Sequence, residues 1–412
     1  MTIDFSLSKR QEETREAIHA LAKDIIRPAS LSWDRNHGIP EDFLLRLTML
    51  ASSMGSNLTL TQGVHGAGEN KDGPEKQGAK KSHANVNTLI ASEELAWGDA
   101  ALLLCLPGSG LGGPPVRASG TPEQKERFFG IFRDYSSGLK WAAYALTEPG
   151  AGSDVAAIRT SCRKDGKHWV LNGRKCFITN GARASWSVVF ATIDPALGRA
   201  GHRAFVVEKG TSGFVVGKIE DKMGLRASET AELVFEDCRV PEENLLGGED
   251  AYGSKEGFMT AMKTFDSTRP LVASMAIGIG RAAYEYARGF VKENYALSRH
   301  TPRYAQVAER LARVARGLEA ARIVTWRAGW LADEGVPNAK EASMSKAMAG
   351  QAAIRACIEA IEICGAEGTI AEDHQLLEKW FRDIKVYDIF EGTGHIQRIV
   401  ISKRLLTDLK SF

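Results

Sequence analysis

The spacing of apolar residues changes twice along this chain of 412 residues. Apolar residues recur at helical intervals up to about residue 134, alternate in short runs from 139 to 243, and return to helical intervals from about 254. Helices on either side of a run of strands exclude the repeating strand–helix pattern of a parallel sheet. The pattern predicts an α+β chain with an N-terminal helical domain over 1–138, a middle antiparallel β domain over 139–243 and a C-terminal helical bundle over 244–412.

The first and last parts of the chain contain the features of amphipathic helices. Ser8 followed by Gln11 matches a capping box at the start of a helix over 8–35, and a second helix is expected after Pro40. The remaining predicted helices cover 87–106, 122–134, 254–297, 303–334, 338–364, 373–388 and 394–409. The last five are joined by short connections, which is typical of a four- or five-helix bundle.

Between these helical parts, β-branched and aromatic residues alternate with polar ones in runs such as "HWVLNG", "KCFITNG" and "AELVFEDCRV". The dipeptides Asp165-Gly166, Asn172-Gly173 and Asn180-Gly181 are typical of hairpin turns. Successive hairpins predict a small antiparallel barrel or a sandwich.

Charge and cysteine content exclude several classes of function. The net charge of +2 does not indicate binding to nucleic acid or to an anionic membrane. The six cysteines have no zinc-type spacing, so they predict reduced thiols in a cytoplasmic protein and no metal site. The N-terminus lacks the apolar run of a signal peptide, and no stretch of the sequence is apolar enough to span a membrane.

Residues 61–85 are rich in Gly, Lys and polar residues and cannot bury a face. We expect an exposed loop there, and a binding role for its lysines stays open.

The segment "GSGLGG" (108–113) matches the dinucleotide-binding pattern G-x-G-x-x-G literally. That pattern must follow a strand and open a helix. Here Pro114 and Pro115 follow at once, and the sequence behind them predicts no helix. We therefore interpret the segment as a connection between helices. Gly278 and Gly280, which lie within a predicted helix, indicate close packing.

Two segments of the β domain are candidates for ligand binding. In "YALTEPGAGSDV" (144–155), the glycines would let backbone N–H groups face a ligand beside the hydroxyls of Thr147 and Ser153, although an ordinary turn fits equally well. In "KCFITNG" (175–181), Phe177 taken alone is a core aromatic residue.

Two helical segments carry acidic residues whose roles differ. "FDSTRP" (265–270) fits a helix start with Asp266 as a cap and Pro270 in the first turn. In "DIFEGTGHIQR" (388–398), Glu391 is either a reacting carboxylate or an acid in the first turn of a helix, stabilised by the helix dipole.

Taken together, these four segments resemble the acyl-CoA dehydrogenase family. "LTEPGAGSD" with "FITNG" about thirty residues later is a specific signature, and "MGLRASETAELVFEDCRVPEENLLG", "FDSTRP" and "FEGTGHIQR" add to it. The family fold has an N-terminal helical domain, a middle β-barrel domain and a C-terminal four-helix bundle. Members use FAD to oxidise an acyl-CoA thioester to the trans-2-enoyl-CoA. Most are tetramers that pass electrons to an electron-transferring flavoprotein.

The resemblance implies that Glu391 is the base, because the position that replaces it in some members is Thr268 here. Positions that match the family's FAD contacts are Tyr144, Leu146, Thr147, Gly152, Ser153, Phe177, Ile178, Thr179 and Thr393. Positions that match contacts to the substrate are Ser153, Asp266, Arg269 and Gly392.

Three departures fall on the side of the family's FAD site that holds the pyrophosphate and adenine. The motif R-x-x-F-G is absent from 294–311, although Arg299 and Arg303 are present. The Gly-rich turn after the third bundle helix reads "EICGAEG" (362–368), and Gly394 and His395 replace the usual Ser and Gln. Either a partner chain completes the site in a hetero-oligomer, or the cofactor is held differently. A fourth departure, "CLPGSGLGGPPV", indicates an unusual acyl group, bulky or cyclic.

Two alternatives to a dehydrogenase therefore stay open. One is a flavin oxidase or monooxygenase on the same fold, whose members generally lack the Glu of this turn. The other is a non-catalytic subunit that completes a partner's site.

Overall fold

The computed structural model describes the backbone of residues 3, 5–53, 83–252, 256–294, 302–370, 372 and 374–409. Side chains are described in the same ranges except at 51–53, 256–267, 302–303 and 407–409.

Within the described residues, seven α-helices precede the sheet. They are α1 (Lys9–Leu21), α2 (Arg27–Arg35), α3 (Glu41–Ser53), α4 (Ala84–Gly98), α5 (Leu102–Cys105), α6 (Gly113–Ser119) and α7 (Pro122–Gly130). The capping box of Ser8 and Gln11 is present, and a π-helical turn separates α1 from α2 inside the predicted helix 8–35. The predicted helix 87–106 is divided because the Asp99 side chain accepts hydrogen bonds from the N–H groups of Ala101 and Leu102. Most of the predicted loop 61–85 lies outside the described residues, and its end belongs to α4.

The prediction that no helix follows "GSGLGG" is wrong, because α6 begins at Gly113. Pro114 and Pro115 occupy its first turn, where a missing N–H costs nothing. The segment is still no dinucleotide site, since it is preceded by α5 and not by a strand.

The middle of the chain forms one curled, seven-stranded sheet. Its strands are β1 (Ala142–Ala145), β2 (Ser161–Asp165), β3 (His168–Thr179), β4 (Trp186–Thr192), β5 (His202–Glu208), β6 (Phe214–Ile219) and β7 (Thr230–Pro241). The strand order is β1-β4-β2-β3-β7-β6, and β5 pairs with β4. The pairings of β1 and of β2 with β4 are parallel, so the sheet is not purely antiparallel as its hairpins predicted. In both of these pairings, the two strands are not consecutive in the sequence.

The predicted turn at Asn172-Gly173 is also wrong. Both residues lie inside β3, where the register with β7 shifts between Leu171 and Gly173. Gly173 has φ of 150°, and a Cβ there would lie 2.6 Å from the Cα of Thr160. The glycine therefore permits a bulge and a close backbone approach inside a continuous strand.

The C-terminal part is a helical bundle formed by α8 (Glu256–Asn294), α9 (Pro302–Asp333), α10 (Ala339–Cys364), α11 (Gln375–Ile384) and α12 (Gly394–Leu409). "FDSTRP" does not start a helix as predicted, because Pro270 lies inside α8. Gly278 packs against α4 as predicted, since a Cβ there would lie 3.0 Å from the backbone nitrogen of Trp97.

A buried ionic group ties the three parts of the chain together. On α11, the Lys379 ammonium lies 3.0 Å from Asp99 and 2.6 Å from Asp383. Asp383 accepts the N–H of Leu225 from the loop between β6 and β7, and Asp99 accepts the hydroxyl of Ser30 from α2. Burial raises the pKa of Asp383, while the two carboxylates raise the pKa of Lys379 against its own burial. This cluster, Asp99–Lys379–Asp383, is called the ionic tie below.

Candidate active site

Glu391 lies in a strained turn between α11 and α12. Its φ is 57° and that of Gly392 is 87°, so a non-glycine residue adopts the left-handed conformation. The first-turn interpretation is wrong, because α12 begins after Glu391 and Thr393 accepts the N–H of Ile396 at 3.2 Å in the position of a cap. Strain of this kind is typical of functional sites.

The carboxylate of Glu391 contacts α8 directly. Thr268 is buried and donates its hydroxyl to Oε2 of Glu391 at 2.8 Å. Burial raises the pKa of Glu391, and the hydrogen bond from Thr268 and the charges of Arg269 and Lys346 oppose that shift. The group is therefore a carboxylate of raised basicity with one defined donor.

Two buried side chains hold the backbone of the turn. Lys346 on α10 donates to the carbonyl of Gly392 at 2.8 Å. The side-chain amide of Gln397 on α12 donates to the carbonyls of Gly392 at 2.9 Å and Glu391 at 3.2 Å.

A narrow apolar cavity opens beside Glu391, with a free volume of about 10 Å³. It is lined by Leu104, Leu111, Thr268, Leu271, Val272, Met275, Phe390 and Glu391. Leu111 belongs to "CLPGSGLGGPPV" (105–116), and Leu104 directly precedes it, so one residue of this departure from the family pattern lines the cavity. The cavity combines an apolar lining with one carboxylate.

The loop that follows β1 is fastened to β3 by a buried ion pair. The Lys175 ammonium lies 2.7 Å from Glu148 and donates to the carbonyl of Leu146 at 3.0 Å. Cys176 donates its N–H to the carbonyl of Thr147 at 2.9 Å. Burial lowers the pKa of Lys175 to about 8 despite the carboxylate. The candidate loop and the candidate strand therefore form one unit.

Tyr144, on β1, lies within electrostatic range of Glu391. The pKa of Tyr144 is raised well above its ordinary value by burial and by the negative charge of Glu391. Its ring packs against Phe190 with the centroids 5.1 Å apart. The carboxylate of Glu391 therefore acts on a residue of the sheet through its charge.

The other predicted residues of this unit differ in the exposure of their side chains. The side chains of Leu146 and Ile178 are buried, so these residues can offer a ligand their backbone alone. Gly152 and Ser153 are exposed and Thr179 is half-buried. Phe177 is not a core residue, since it is 65% exposed with φ of 58° at a bulge in β3.

Near the predicted substrate positions, Arg269 lies on α8 and donates to the hydroxyl of Ser343 at 3.5 Å. The side chains of Asp266 and Arg303 and the whole of Arg299 lie outside the described residues. Among the side chains that the structure describes, no group of acidic, His and Cys residues could hold a metal ion. All six cysteines are buried and unpaired with one another.

Three family models match the chain over almost its full length. They are "Acyl-CoA dehydrogenase, N-terminal domain" at 8–131, "middle domain" at 143–238 and "C-terminal domain" at 255–406. The chain is 40% identical over 323 residues to the mitochondrial short-chain specific acyl-CoA dehydrogenase of Rattus norvegicus, covering 78% of this chain and 76% of the relative. The chain belongs to the acyl-CoA dehydrogenase family.

Two solved structures share the fold of this acyl-CoA dehydrogenase over nearly its whole length. The butyryl-CoA dehydrogenase of Megasphaera elsdenii is 32% identical with a TM-score of 0.80, covering 98% of this chain and 100% of that one. A chain in the structure "Electron transferring flavoprotein of Acidaminococcus fermentans" is 33% identical with a TM-score of 0.79, covering 98% and 100%. The predicted fold class is confirmed.

The acyl-CoA dehydrogenase is a flavoprotein oxidoreductase of fatty acid metabolism with FAD as cofactor. The described residues fit that cofactor, because the exposed aromatic ring of Phe177 and the hydroxyl of Thr179 lie two residues apart on β3. The neighbouring Cys176 joins this strand to the loop of Thr147 by a backbone hydrogen bond. A ring system with an apolar face and polar edges needs such a combination.

Sequence reasoning missed three residues of this acyl-CoA dehydrogenase site. The sequence excludes Thr268 as a base, but the structure shows that its hydroxyl donates to Glu391. Gln397 lies in "FEGTGHIQR", where the sequence alone indicates no role for its side chain. Lys346 had one available signal, a single cation among small residues in "SMSKAMAG", which is unusual for a solvent-facing helix surface.

Proposed function

We propose that this chain oxidises a short acyl-CoA thioester to the trans-2-enoyl-CoA with Glu391 as the base. The observation that carries the proposal is the carboxylate of Glu391 at the wall of an apolar cavity, with Thr268 donating to it at 2.8 Å. An acyl chain in that cavity places its first carbons beside the one carboxylate in the lining.

The chemistry accounts for this arrangement. The proton next to a thioester carbonyl is weakly acidic, so its removal needs a positioned base of raised basicity. Glu391 takes this proton from the α-carbon, and a hydride leaves the neighbouring β-carbon. The double bond forms between these two carbons. Bound FAD supplies the hydride acceptor. Hydrogen-bond donors to the thioester oxygen stabilise the enolate that develops, and we assign the N–H of Glu391 to this role.

The predicted roles of the remaining site residues become part of the proposal. FAD contacts are assigned to Tyr144, Leu146, Thr147, Gly152, Ser153, Phe177, Ile178, Thr179 and Thr393. Substrate contacts are assigned to Ser153, Asp266, Arg269 and Gly392. For Leu146 and Ile178 the assignment concerns the backbone, since both side chains are buried.

A short acyl group is favoured over the bulky or cyclic group that the sequence predicted. The similar rat protein is called a short-chain specific acyl-CoA dehydrogenase, and the similar Megasphaera protein is called a butyryl-CoA dehydrogenase. These names support a substrate of few carbons.

For the acceptor and the assembly, we propose an electron-transferring flavoprotein and a tetramer of one or two kinds of chain, in the cytoplasm. The name of the Acidaminococcus structure supports the first. A second kind of chain is included because the motif R-x-x-F-G is absent from 294–311 and the turn at 362–368 reads "EICGAEG". The resemblance places the contacts to the distal part of FAD in these two regions.

The proposal is tested by the visible spectrum of FAD-loaded protein under anaerobic conditions. Addition of butyryl-CoA and of longer, branched and cyclic acyl-CoA thioesters is expected to bleach the flavin band, fastest with the short chains. Failure of every thioester to bleach the band would contradict dehydrogenation. Rapid oxygen consumption by the reduced flavin would favour an oxidase, and failure to retain FAD would favour a non-catalytic subunit.

Replacing Thr268 with valine is expected to move the acid limb of the rate–pH profile to higher pH. The hydroxyl of Thr268 lowers the pKa of Glu391, so its loss raises that pKa further. Because a base works in its ionised form, activity is lost as pH falls through its pKa, and the variant loses activity sooner. Flavin reduction rates measured across the acid range check this.

The control is Thr325→Val, since Thr325 is a buried threonine on α9 that donates to a backbone carbonyl. This variant should keep the parent profile. An unmoved acid limb in Thr268→Val would show that the contact does not act on the base.

A further inference from the structure

Lys346 is a buried lysine on α10 that contacts the turn of Glu391. It is 1% exposed, and its ammonium donates to the carbonyl of Gly392 at 2.8 Å. Asp388 and Glu391 attract its charge and Arg269 repels it. The hydrogen bond therefore goes to the backbone of the turn, while the carboxylates act through space.

Such a placement is costly for the folded state. Burial of an ammonium disfavours its charged form and lowers the pKa of Lys346 to about 8. A methionine of similar length would fill the same space without that cost. The cost of burying this charge favours a role for the ammonium that an apolar residue would not fill.

The turn that Lys346 contacts has a strained backbone. Glu391 with φ of 57° adopts a conformation that is strained for a non-glycine residue. The carbonyl of Gly392 accepts from Lys346 on one helix and from Gln397 on another. Two donors from α10 and α12 thus hold one peptide group directly after the base.

We propose that Lys346 is a positioning residue for the base: its ammonium holds the Gly392 carbonyl, keeps Glu391 in the left-handed conformation and maintains a positive charge beside its carboxylate. This inference rests on the proposed role of Glu391. Lys346 takes no part in the bonds that form and break.

The effect of losing Lys346 on the pKa of Glu391 depends on the other charged and polar groups around that carboxylate. Glu391 is faced by Thr268 and Arg269 from α8, Lys346 from α10 and Tyr144 from β1. Lys346 and Arg269 are the two cations in this set, and both lower the pKa of Glu391. Removing one of them raises that pKa, so the carboxylate is protonated at a higher pH.

The test compares Lys346→Met with Lys346→Gln in FAD-loaded protein. Methionine removes both donor and charge, whereas glutamine keeps a donor and removes the charge. We expect Lys346→Met to slow flavin reduction by about 10- to 100-fold, the range that misplacement of a reacting group produces. Lys346→Gln should recover part of the rate, while both variants show the acid limb at higher pH. The control is Arg355→Met, a change on the exposed face of the same helix.

A second measurement needs no substrate. The infrared carbonyl band of protonated Glu391 is identified as the band that Glu391→Gln removes, and its titration gives the pKa of the base directly. We expect the midpoint to rise in both Lys346 variants and to stay at the parent value in Arg355→Met. An unchanged midpoint in Lys346→Met, or a flavin reduction rate within about two-fold of the parent, would overturn the inference. If the parent protein itself fails to bleach, the proposed function fails, and the infrared titration still decides whether Lys346 controls Glu391.

Discussion

Replacing Glu391 with glutamine is expected to slow flavin reduction by acyl-CoA by about 10²–10⁴-fold, the usual contribution of a general base. Glutamine has the same size and can still accept the hydroxyl of Thr268, so the turn should keep its shape. What is lost is the capacity to accept a proton. Stopped-flow absorbance at the flavin band under single-turnover conditions measures this step.

The matched control for this prediction is Glu378→Gln on α11, where the carboxylate is about half exposed and pairs with Arg382. That variant should reduce its flavin at the parent rate. Near-parent reduction by the Glu391→Gln variant, with flavin and substrate both bound, would mean that the base lies elsewhere.

Replacing Lys379 with methionine is expected to lower the free energy of unfolding by about 3–5 kcal/mol. Lys379 is the cation of the ionic tie, and its removal leaves the carboxylates of Asp99 and Asp383 buried beside each other without compensation. The tie connects α2, the loop between β6 and β7, and α11, so the damage reaches all three parts of the chain. Urea-induced unfolding followed by tryptophan fluorescence measures the change.

Lys385→Met serves as the control for this experiment, because Lys385 is an exposed lysine that directly follows α11. Its unfolding midpoint should match that of the parent. A Lys379→Met variant as stable as this control would show that the ionic tie is neutral in energy, as some buried ion pairs are when replaced by apolar residues.

Helices were the part of the fold that the sequence predicted best. The limits of α8 to α12 were anticipated within a few residues, because long amphipathic stretches repeat their pattern many times. The prolines give wrong predictions of two opposite kinds. Pro114 and Pro115 predict that no helix follows, but they lie in the first turn of α6. Pro270 predicts a helix start, but it lies inside α8. Tertiary packing overrides such local signals.

The sheet and the site were predicted less completely for a different reason. Local sequence indicates hairpins, but the parallel pairing of β1 with β4 joins strands that are distant in the chain. In the same way, the motif around Glu391 indicated a candidate base, whereas its partners Thr268 and Lys346 come from two other helices. Contacts between distant segments leave no periodic pattern in a single sequence.

The position of β1 also bears on the order in which the chain folds. Tyr144 lies on β1, which pairs with β4 in the sheet. Because β4 follows β1 in the sequence, β1 can join the sheet only after β4 has been synthesised. Closing this pairing costs chain entropy, since the intervening residues must be confined. The loop assigned to the cofactor therefore reaches its final position only once β4 has paired with β1, and we expect capture of the flavin to depend on that step.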